Sequence, residues 1–510
     1  MIEVPDLWAL VEARAEATPD ALAAVDEDDR RLSFAGYRDA ALRCAAGLAL
    51  RGVEAGTPVS WILPTWLETL VLTAALSRLG ARQNPILPIY REREVGFVLR
   101  QTRARLVITP GVFRGFDYPA MARGLAEEIP GLDVLEVDRA LPEGDPGGLP
   151  PAAAAGGGVR WVFYTSGTTA DPKGALHTDE TLAAFSFGMA RALALAPDDR
   201  VAMVFPITHI GGMGWVFAGL AAGCAHVLVS AFDPATSIDV LARHGVTQAT
   251  AGTAFHQAYL AAQRARPDAP VFPDVRAFPG GGAPKPPALH FEIKQAMGGA
   301  GIVSGYGMTE CPILAMNAVG DDDAKLAHTE GRACPPEVEI RVVTPDGREV
   351  GPGEEGEFRV RGPQLCLGYL DSALDAASRD ERGFFRTGDL GYLDDDGYLV
   401  VTGRLKDVII RKGENISAKE VEDLLFEHPK LADVAVVGLP DPETGERACA
   451  VAVCSDAGDP LEFDEMVAYL RDRKLMVQKI PERLELVASL PRNPTGKVLK
   501  HELRARYAPA

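Results

Sequence analysis

The chain has 510 residues, of which 47% are hydrophobic and 24% are charged. That composition excludes a disordered or fibrous protein and predicts a large buried core. The formal net charge is −19. Because nucleic acids and anionic membranes attract basic surfaces, we expect no nucleic-acid partner and no polybasic membrane anchor. A cytoplasmic protein is the simplest expectation.

The cysteines and the apolar segments support the same expectation. Seven cysteines are scattered along the chain, and none forms a Cys-x-x-Cys pair. A disulfide framework or a zinc site is therefore disfavoured, and a reducing compartment is expected. The first residues lack a basic segment before an apolar one, so we expect no secretory signal. The stretch from Val216 to Val229 is interrupted by His226 and is too short to span a membrane.

Short β-branched runs alternate with amphipathic stretches through most of the first half of the chain. The pattern predicts strands at 59–63, 201–205 and 226–230 and helices at 65–79, 211–222 and 254–264. Such alternation is typical of βαβ units and largely parallel sheets. The Gly/Pro/Ala-rich run at 147–158 has the composition of a linker. Strand-like segments continue on both sides, so we interpret it as a surface connection within one body.

The second half of the chain has a different pattern. Turn sequences at 345–347 and 395–397 predict hairpins near 341–350 and 391–402, hence a small antiparallel unit. Further on, the sequence predicts a helix at 417–428, a strand at 433–438 and a helix at 463–474. We therefore predict an α/β protein with two domains. Residues 1–402 form a large body of mixed and parallel sheets flanked by helices, with a small β-barrel-like unit, and residues 403–510 form a small mobile α+β domain.

The strongest local signal follows the predicted strand at 161–164. The run from Thr165 to Gly174 is rich in hydroxyl groups and contains Lys173. Hydroxyls, backbone N–H groups and a lysine can all donate to a polyphosphate, so the run is a candidate phosphate loop. It is not a Walker A loop, because no glycine precedes Lys173 and no Ser or Thr follows it. A polar hairpin tip is the alternative.

Further segments carry candidate site residues. They are Phe205 to Gly214 with His209, the glycine run at 279–284, the sequence Ser-Gly-Tyr-Gly-Met-Thr-Glu at 304–310, Thr387 to Asp389, Gly403 to Asp407 and Pro491 to Lys497. The glycine run follows a strand, where parallel sheets place ligands. On composition alone each segment has a structural alternative: helix packing, a bare turn, a surface acid or a solvated salt bridge.

These segments, in this order from about residue 30 to 505, resemble the superfamily of AMP-forming adenylating enzymes, which contains acyl-CoA synthetases, adenylation domains and beetle luciferases. The sequence departs from the family pattern at Ala170, where glycine is usual. The segment from Asn84 to Glu94 is similar to the branch with cyclohexanecarboxylate and short- to medium-chain acyl-CoA ligases.

The resemblance implies a nucleotide site. The phosphate loop then comprises Thr165, Ser166, Gly167, Thr168, Thr169 and Lys173. Adenine is expected against Gly281, Gly282 and Ala283 and stacked on Tyr306, beside Gly307. The resemblance further assigns the α-phosphate to Thr309, Mg²⁺ to Glu310, and the ribose to Asp389 with Arg404 nearby.

The resemblance also implies an acyl pocket and a moving domain. The pocket is expected to be lined by His209, Gly212, Met213, Gly214, Gly282 and Gly307, with His209 as a gate beside the carboxylate. Lys406 is the expected hinge, and Lys412, Gly413 and Glu414 are expected to face the pantetheine channel. Lys497 matches the catalytic lysine, a mobile cation that bridges the carboxylate and the α-phosphate. Together with His209, Thr309 and Glu310 it forms the expected catalytic set.

The implied activity is that of an ATP-dependent carboxylate–CoA ligase that uses Mg²⁺, with CoA as co-substrate. The stretch 205–216 contains no acidic residue, which argues against an amino-acid substrate because an ammonium group would need a partner. A stand-alone enzyme that loads the phosphopantetheine of a carrier protein is one alternative, and a non-catalytic nucleotide-binding homologue is another. The sequence around Lys497 also resembles a site that acetyltransferases modify, and a homodimer is left open.

Overall fold

The computed structural model describes residues 1–153, 156–165, 172–282, 285–411, 414–442, 444–493 and 496–508. The helices of this part of the chain are α1 (Leu7–Ala17), α2 (Phe34–Ala49), α3 (Leu67–Leu79), α4 (Glu92–Thr102), α5 (Tyr118–Glu128), α6 (Asp179–Ala192), α7 (Ile210–Ala222), α8 (Ser237–Arg243), α9 (Thr253–Arg264), α10 (Pro287–Met297), α11 (Asp323–His328), α12 (Asp375–Ser378), α13 (Ala418–Phe426), α14 (Phe463–Asp472) and α15 (Lys500–Tyr507). Short 3₁₀ helices lie at Pro146–Gly148, Ser372–Leu374, Leu405–Asp407 and Val477–Lys479.

The strands are β1 (Leu22–Asp26), β2 (Arg31–Ser33), β3 (Pro58–Trp61), β4 (Arg82–Pro85), β5 (Leu106–Thr109), β6 (Val112–Phe113), β7 (Phe116–Asp117), β8 (Asp133–Glu136), β9 (Trp161–Tyr164), β10 (Gly174–His177), β11 (Arg200–Met203), β12 (Ala225–Leu228), β13 (Phe278–Gly281), β14 (Ile302–Tyr306), β15 (Ala315–Met316), β16 (Arg332–Ala333), β17 (Glu339–Val343), β18 (Gly356–Arg361), β19 (Gly368–Tyr369), β20 (Phe385–Leu393), β21 (Leu399–Arg404), β22 (Val408–Arg411), β23 (Glu414–Ser417), β24 (Leu431–Asp441), β25 (Gly445–Cys454) and β26 (Arg483–Leu486). The strands and helices expected from the alternation all form, with shifts of a few residues at their ends.

Largely parallel sheets build the N-terminal body. The largest has the order β19-β10-β9-β4-β3-β5-β8, in which β9 to β8 run parallel and β10 is antiparallel to both of its neighbours, β9 and β19. A second sheet has the order β11-β12-β1-β2 and a third β13-β14-β15-β16. Parallel bridges from Val201 to Gln248 and from Gln248 to Ala277 join the second and third sheets. The carboxyl ends of β11, β13 and β14 therefore lie on the same edge.

Helices α3, α6 and α7 share one apolar cluster with strands of the first two sheets. Helix α7 is buried around its whole circumference, as expected of a helix that is apolar on every side. It ends at Gly223, whose φ of +83° is a left-handed conformation that glycine adopts without strain. The predicted connection at 147–158 runs between β8 and β9, two strands of the same sheet, which confirms that it lies within one body.

Apart from β6 and β7, which pair only with each other, the remaining strands form the two smaller units that were predicted. Strands β17, β18, β20 and β21 make an antiparallel sheet, with turns at the two predicted hairpin positions. After β21, the 3₁₀ helix Leu405–Asp407 leads into an α+β unit whose sheet contains β22 to β26 and packs against α13 and α14. The predicted α/β class is confirmed. In the described part of the chain, no helix combines the length and the apolar character needed to cross a bilayer.

Candidate adenylation site

Strand ends from different sheets meet at a small cavity in the N-terminal body. Its lining includes Tyr164 from β9, Thr208 and His209 after β11, and Thr309 after β14. Ligands of open α/β sheets bind at the carboxyl ends of strands, so this is where a ligand site is expected. The structure thereby brings His209 and Thr309 together.

The loop between β9 and β10 carries the candidate phosphate-binding residues. Its ends are held together by a hydrogen bond of 2.9 Å from the Thr165 N–H to the Lys173 carbonyl. The ammonium of Lys173 lies 5.5 Å from the centre of the Tyr369 ring. The predicted loop residues Ser166, Gly167, Thr168 and Thr169 lie outside the described residues.

A tight turn after β14 presents Thr309 and Glu310. Met308 and Cys311 exchange backbone hydrogen bonds of 3.1 and 3.2 Å across the turn. At Gly307 an added Cβ would lie 2.3 Å from the Ile313 nitrogen, so only glycine fits there. The Thr309 carbonyl lies 2.9 Å from Nε2 of His177. A carbonyl can only accept, so Nε2 carries a proton, and burial lowers the pKa of His177 to about 4, which keeps the ring neutral.

Glu310 provides a single carboxylate with one oxygen already engaged. Its Oε1 accepts a hydrogen bond of 2.6 Å from the Tyr369 hydroxyl. Within the described ranges, no cluster of three or more His, Cys, Asp or Glu could hold a metal ion. Mg²⁺ usually binds through one or two carboxylates together with substrate phosphates and water. The donor set around Glu310 therefore fits a magnesium ion that arrives with ATP.

Asp389 stands at the centre of a buried polar network. Its Oδ1 pairs with Arg404 Nε at 2.7 Å, and its Oδ2 accepts from the Tyr306 hydroxyl at 2.6 Å. The Asp389 side chain is only 3% exposed. Each carboxylate oxygen can accept more than one hydrogen bond, so capacity for ribose hydroxyls remains. The structure thus joins three of the predicted nucleotide-binding residues.

His209 begins helix α7 as its N-cap. Its Nδ1 accepts a hydrogen bond of 3.1 Å from the Gly211 N–H, so Nδ1 carries no proton. Burial lowers the pKa of His209 to about 4, which keeps the imidazole neutral near pH 7. In this arrangement the proton is on Nε2, and His209 offers a donor rather than a base.

The glycines of α7 have a different role from the one expected. An added Cβ at Gly212 would lie 2.6 Å from the Ile207 Cα, and one at Gly214 would lie 2.2 Å from the Phe185 ring. Met213 is fully buried in the same apolar cluster. Close helix packing, and not open room for an acyl group, is therefore what Gly212 and Gly214 provide. The geometry favours the structural alternative for Gly212 and Gly214, and the acyl pocket stays a prediction.

The glycines near β13 differ from one another. At Gly281 an added Cβ would lie 2.3 Å from the Gly305 carbonyl oxygen, which reflects the close approach of β13 and β14. Gly282 has a φ of +77°, and no described atom lies within 4 Å of an added Cβ. Space beside the backbone is therefore present at Gly282. The predicted contact residue Ala283 lies outside the described residues.

The C-terminal domain brings Lys497 to the predicted nucleotide-binding residues Asp389 and Arg404. An added Cβ at Gly496 would lie 3.7 Å from Ala254 and Phe255 of helix α9. The pKa of Lys497 is lowered to about 8, chiefly by burial and then by the charge of Arg404, whereas Asp389 acts to raise it. The ammonium therefore shares the electrostatic environment of Asp389. Its backbone is fixed by a hydrogen bond of 2.9 Å from the Lys497 N–H to the Asn493 side chain.

The expected hinge lies between the two domains. Lys406 is exposed in the 3₁₀ helix Leu405–Asp407, directly after Arg404 at the end of β21. Of the residues expected at the pantetheine channel, Lys412 and Gly413 lie outside the described residues, and the backbone of Glu414 begins β23. These roles stay predictions.

Two site residues were missed by the sequence analysis, His177 and Tyr369. Tyr369 lies 59 positions from Glu310 and His177 lies 132 positions from Thr309, so no local spacing links either pair. Only the pairing of β10 with β9 and β19 brings them to the turn after β14.

Comparison with known proteins identifies the class. Residues 11–370 match the family model of the AMP-binding enzymes, and residues 420–497 match the AMP-binding enzyme C-terminal domain. The chain belongs to the AMP-binding enzyme family.

Its relatives are carboxylate-activating enzymes. The chain is 32% identical to the medium-chain fatty-acid–CoA ligase of Escherichia coli, over 98% of this chain and 89% of that one. It is 34% identical to the salicyl-AMP ligase/salicyl-S-ArCP synthetase of Mycobacterium tuberculosis, over 96% and 88%. Among solved structures, O-succinylbenzoate coenzyme A synthetase of Bacillus subtilis, in complex with ATP and magnesium, has a TM-score of 0.83 and 28% identity over 97% and 98% of the two chains.

Proposed function

We propose that the protein is an ATP-dependent carboxylate–CoA ligase that works through an acyl-adenylate. The observation that carries the proposal is the position of Lys497: the C-terminal domain holds its ammonium in the electrostatic environment of Asp389 and Arg404. The turn with Thr309 and Glu310 and the loop that ends at Lys173 belong to the same cluster of strand ends. Such an arrangement suits a reaction between two anions.

In the first half-reaction, a carboxylate oxygen attacks the α-phosphorus of MgATP. The bond between the α-phosphorus and the bridging oxygen breaks, and pyrophosphate leaves with that oxygen. Lys173 binds the outer phosphates, Thr309 contacts the α-phosphate, and Lys497 aligns the two anions that otherwise repel each other. Glu310 would hold the Mg²⁺ that arrives with ATP, and the ion would supply positive charge beside the phosphates.

In the second half-reaction, the sulfur of CoA attacks the acyl carbon, AMP leaves, and the thiol proton is released. Rotation of the C-terminal domain about Lys406 withdraws Lys497 and turns the segment that contains Lys412 to Glu414 toward the acyl group. Because His209 is neutral and carries its proton on Nε2, it acts here as a hydrogen-bond donor beside the cavity rather than as the base that deprotonates the thiol.

The acid is an alicyclic, aryl, steroid-derived or short- to medium-chain aliphatic carboxylate in this proposal. The medium-chain ligase of E. coli supports this range, and the salicyl-AMP ligase favours one alternative, transfer of the acyl group to a carrier protein instead of CoA. All seven cysteines lie within the described residues and are unpaired, which supports a cytoplasmic location.

The test is to incubate the protein with MgATP, CoA and a mixed panel of aliphatic, alicyclic and aryl acids and to detect products by mass spectrometry. A new acyl-CoA supports the ligase. Acyl-AMP without a thioester supports the carrier-loading alternative, and no product means either that the substrate is missing from the panel or that the protein is a non-catalytic homologue. In the Lys497→Ala variant, acyl-AMP formation should be lost while thioester formation from supplied acyl-AMP is largely retained.

Two further expectations belong to this proposal. Acetylation of Lys497 by an acetyltransferase would remove the cation and stop adenylation. Peptide mass analysis would establish that acetylation is complete, and full activity of the completely acetylated protein would contradict the expectation. A homodimer is the expected assembly if the protein associates, and sedimentation velocity at micromolar concentrations would detect it.

A further inference from the structure

Tyr369 connects two parts of the proposed site that lie far apart in sequence. Its hydroxyl donates to Glu310 at 2.6 Å, and the ammonium of Lys173 lies 5.5 Å from the centre of its ring. We propose that Tyr369 is a positioning residue that orients Glu310 for the magnesium of MgATP and restrains Lys173 toward the phosphates. This inference rests on the proposed function.

The backbone that carries Tyr369 is held on both sides. In β19 it pairs with Ala175 of β10, and the next residue donates from its N–H to the Gly174 carbonyl at 2.7 Å. On the other side, the Cys366 N–H donates to the carbonyl of Glu310 at 2.8 Å. The segment 366–370 is therefore a strap between the candidate phosphate loop and the metal-binding turn, and the phenol has a fixed place between them.

The hydrogen bond leaves Glu310 prepared for a metal ion. It engages Oε1, so Oε2 is the oxygen that can enter the coordination shell of Mg²⁺. The Tyr369 hydroxyl is the donor of this hydrogen bond, because an ionised carboxylate can only accept. Groups that orient a metal ligand in this way often contribute 10- to 100-fold to metal affinity or activity.

The ring has a separate effect on Lys173. A cation within about 6 Å of an aromatic centre is attracted by the ring. Lys173 has several rotatable bonds, and the ring limits the positions that its ammonium occupies before ATP binds. Removing only the hydroxyl should therefore affect magnesium, whereas removing the whole ring should also affect the phosphates.

A matched control exists elsewhere in the chain. The hydroxyl of Tyr398 donates to Asp321 at 2.7 Å, and Lys325 lies 4.6 Å from the centre of its ring. This pair has the same chemistry at the turn between β20 and β21, which is the opposite end of that hairpin from Asp389 and Arg404. Tyr398→Phe therefore removes an equivalent hydrogen bond outside the site.

The experiment measures ATP binding by equilibrium dialysis, without acid substrate, in EDTA and at a series of free Mg²⁺ concentrations. Tyr369→Phe should reduce the gain in ATP affinity that Mg²⁺ provides by about tenfold and leave binding in EDTA unchanged. Tyr369→Leu should weaken binding in EDTA as well. Tyr398→Phe should match the wild type in both conditions, and equal urea midpoints would show that the Phe variants are folded.

A double-mutant cycle tests the path through Glu310. Glu310→Gln should lose most of the magnesium effect, and adding Tyr369→Phe to it should change nothing further. An unchanged magnesium effect in Tyr369→Phe, or an equal loss in Tyr398→Phe, would overturn the inference. These binding results stand apart from the proposed function, which fails instead if the wild type binds MgATP and forms no acyl-AMP from any acid.

Discussion

The proposed role of Lys497 makes adenylation sensitive to alkaline pH. Its pKa falls from the ordinary 10.5 to about 8, chiefly because of burial. That change corresponds to roughly 3 kcal/mol against the charged form. The free enzyme is then about 90% protonated at this lysine at pH 7 and about 10% at pH 9. Since the proposed step needs the cation, adenylation should decline as pH rises through 8.

The assay is pyrophosphate release with acid and MgATP in the absence of CoA, so that the thiol does not contribute. The value of kcat/KM reports the free enzyme and should fall about tenfold per pH unit above a midpoint near 8. The decline in kcat should lie at higher pH, because bound phosphates favour the protonated lysine. In Lys497→Arg the rate should be lower but the alkaline decline should disappear, since a guanidinium stays charged.

A second lysine provides the control. Burial also lowers the pKa of Lys285 to about 8, and its ammonium lies 3.4 Å from the Thr329 carbonyl. Lys285→Met should keep the alkaline decline of kcat/KM if Lys497 causes it. A wild-type profile that is flat to pH 10, or a decline that persists unchanged in Lys497→Arg, would refute the reasoning. Circular dichroism at each pH would confirm that the fold is intact.

Three further predictions follow from the packing and the charges. Gly214→Ala places a Cβ 2.2 Å from the Phe185 ring and should lower the free energy of unfolding, measured by urea denaturation, by about 1–3 kcal/mol. The control is Gly124→Ala, whose Cβ meets no described atom within 4 Å and which should cause no such loss. Asp389→Asn should raise the KM for ATP by about 10- to 100-fold, because it loses charge-assisted hydrogen bonds, and leave the KM for the acid unchanged. Burial raises the pKa of Asp179 from 3.8 to about 7, so the folded state binds the proton of this carboxyl more tightly than the unfolded state does. Between pH 4 and pH 7 the free energy of unfolding of the wild type should therefore fall by up to about 4 kcal/mol relative to that of Asp179→Asn. Parallel curves of unfolding free energy against pH for the two proteins would contradict this.

The fold was largely predictable because periodicity and turn sequences act locally. The alternation of apolar runs located β3, β11 and α7, and the Asp-Asp-Gly turn located the β20–β21 hairpin. A local pattern cannot show which atoms of the fold occupy the space beside a glycine. The glycines of α7 looked like room for a substrate, yet Gly214 faces the Phe185 ring from helix α6.

Apart from the candidate phosphate loop, whose donor groups are visible in the sequence, the candidate site was predictable only where the family resemblance assigned a residue. It named Tyr306, Asp389 and Arg404, and the structure joins them through hydrogen bonds and an ion pair. Tyr369 escaped detection because its partner Glu310 lies 59 positions away and becomes its neighbour only through sheet pairing. The environment of Lys497 also depends on tertiary structure, since the position of the preceding residue, Gly496, against α9 follows from how the two domains meet.

The ion pair between Asp389 and Arg404 has a thermodynamic consequence. Asp389 is the proposed ribose ligand, and Arg404 is the last residue of β21 before the proposed hinge. One buried pair therefore belongs both to the nucleotide site and to the segment that must change its backbone angles. If rotation alters this pair, then ATP binding shifts the equilibrium between the two domain orientations by a certain factor. The affinity for ATP must differ between those two orientations by the same factor. Release of AMP and the return rotation of the domain are then thermodynamically coupled.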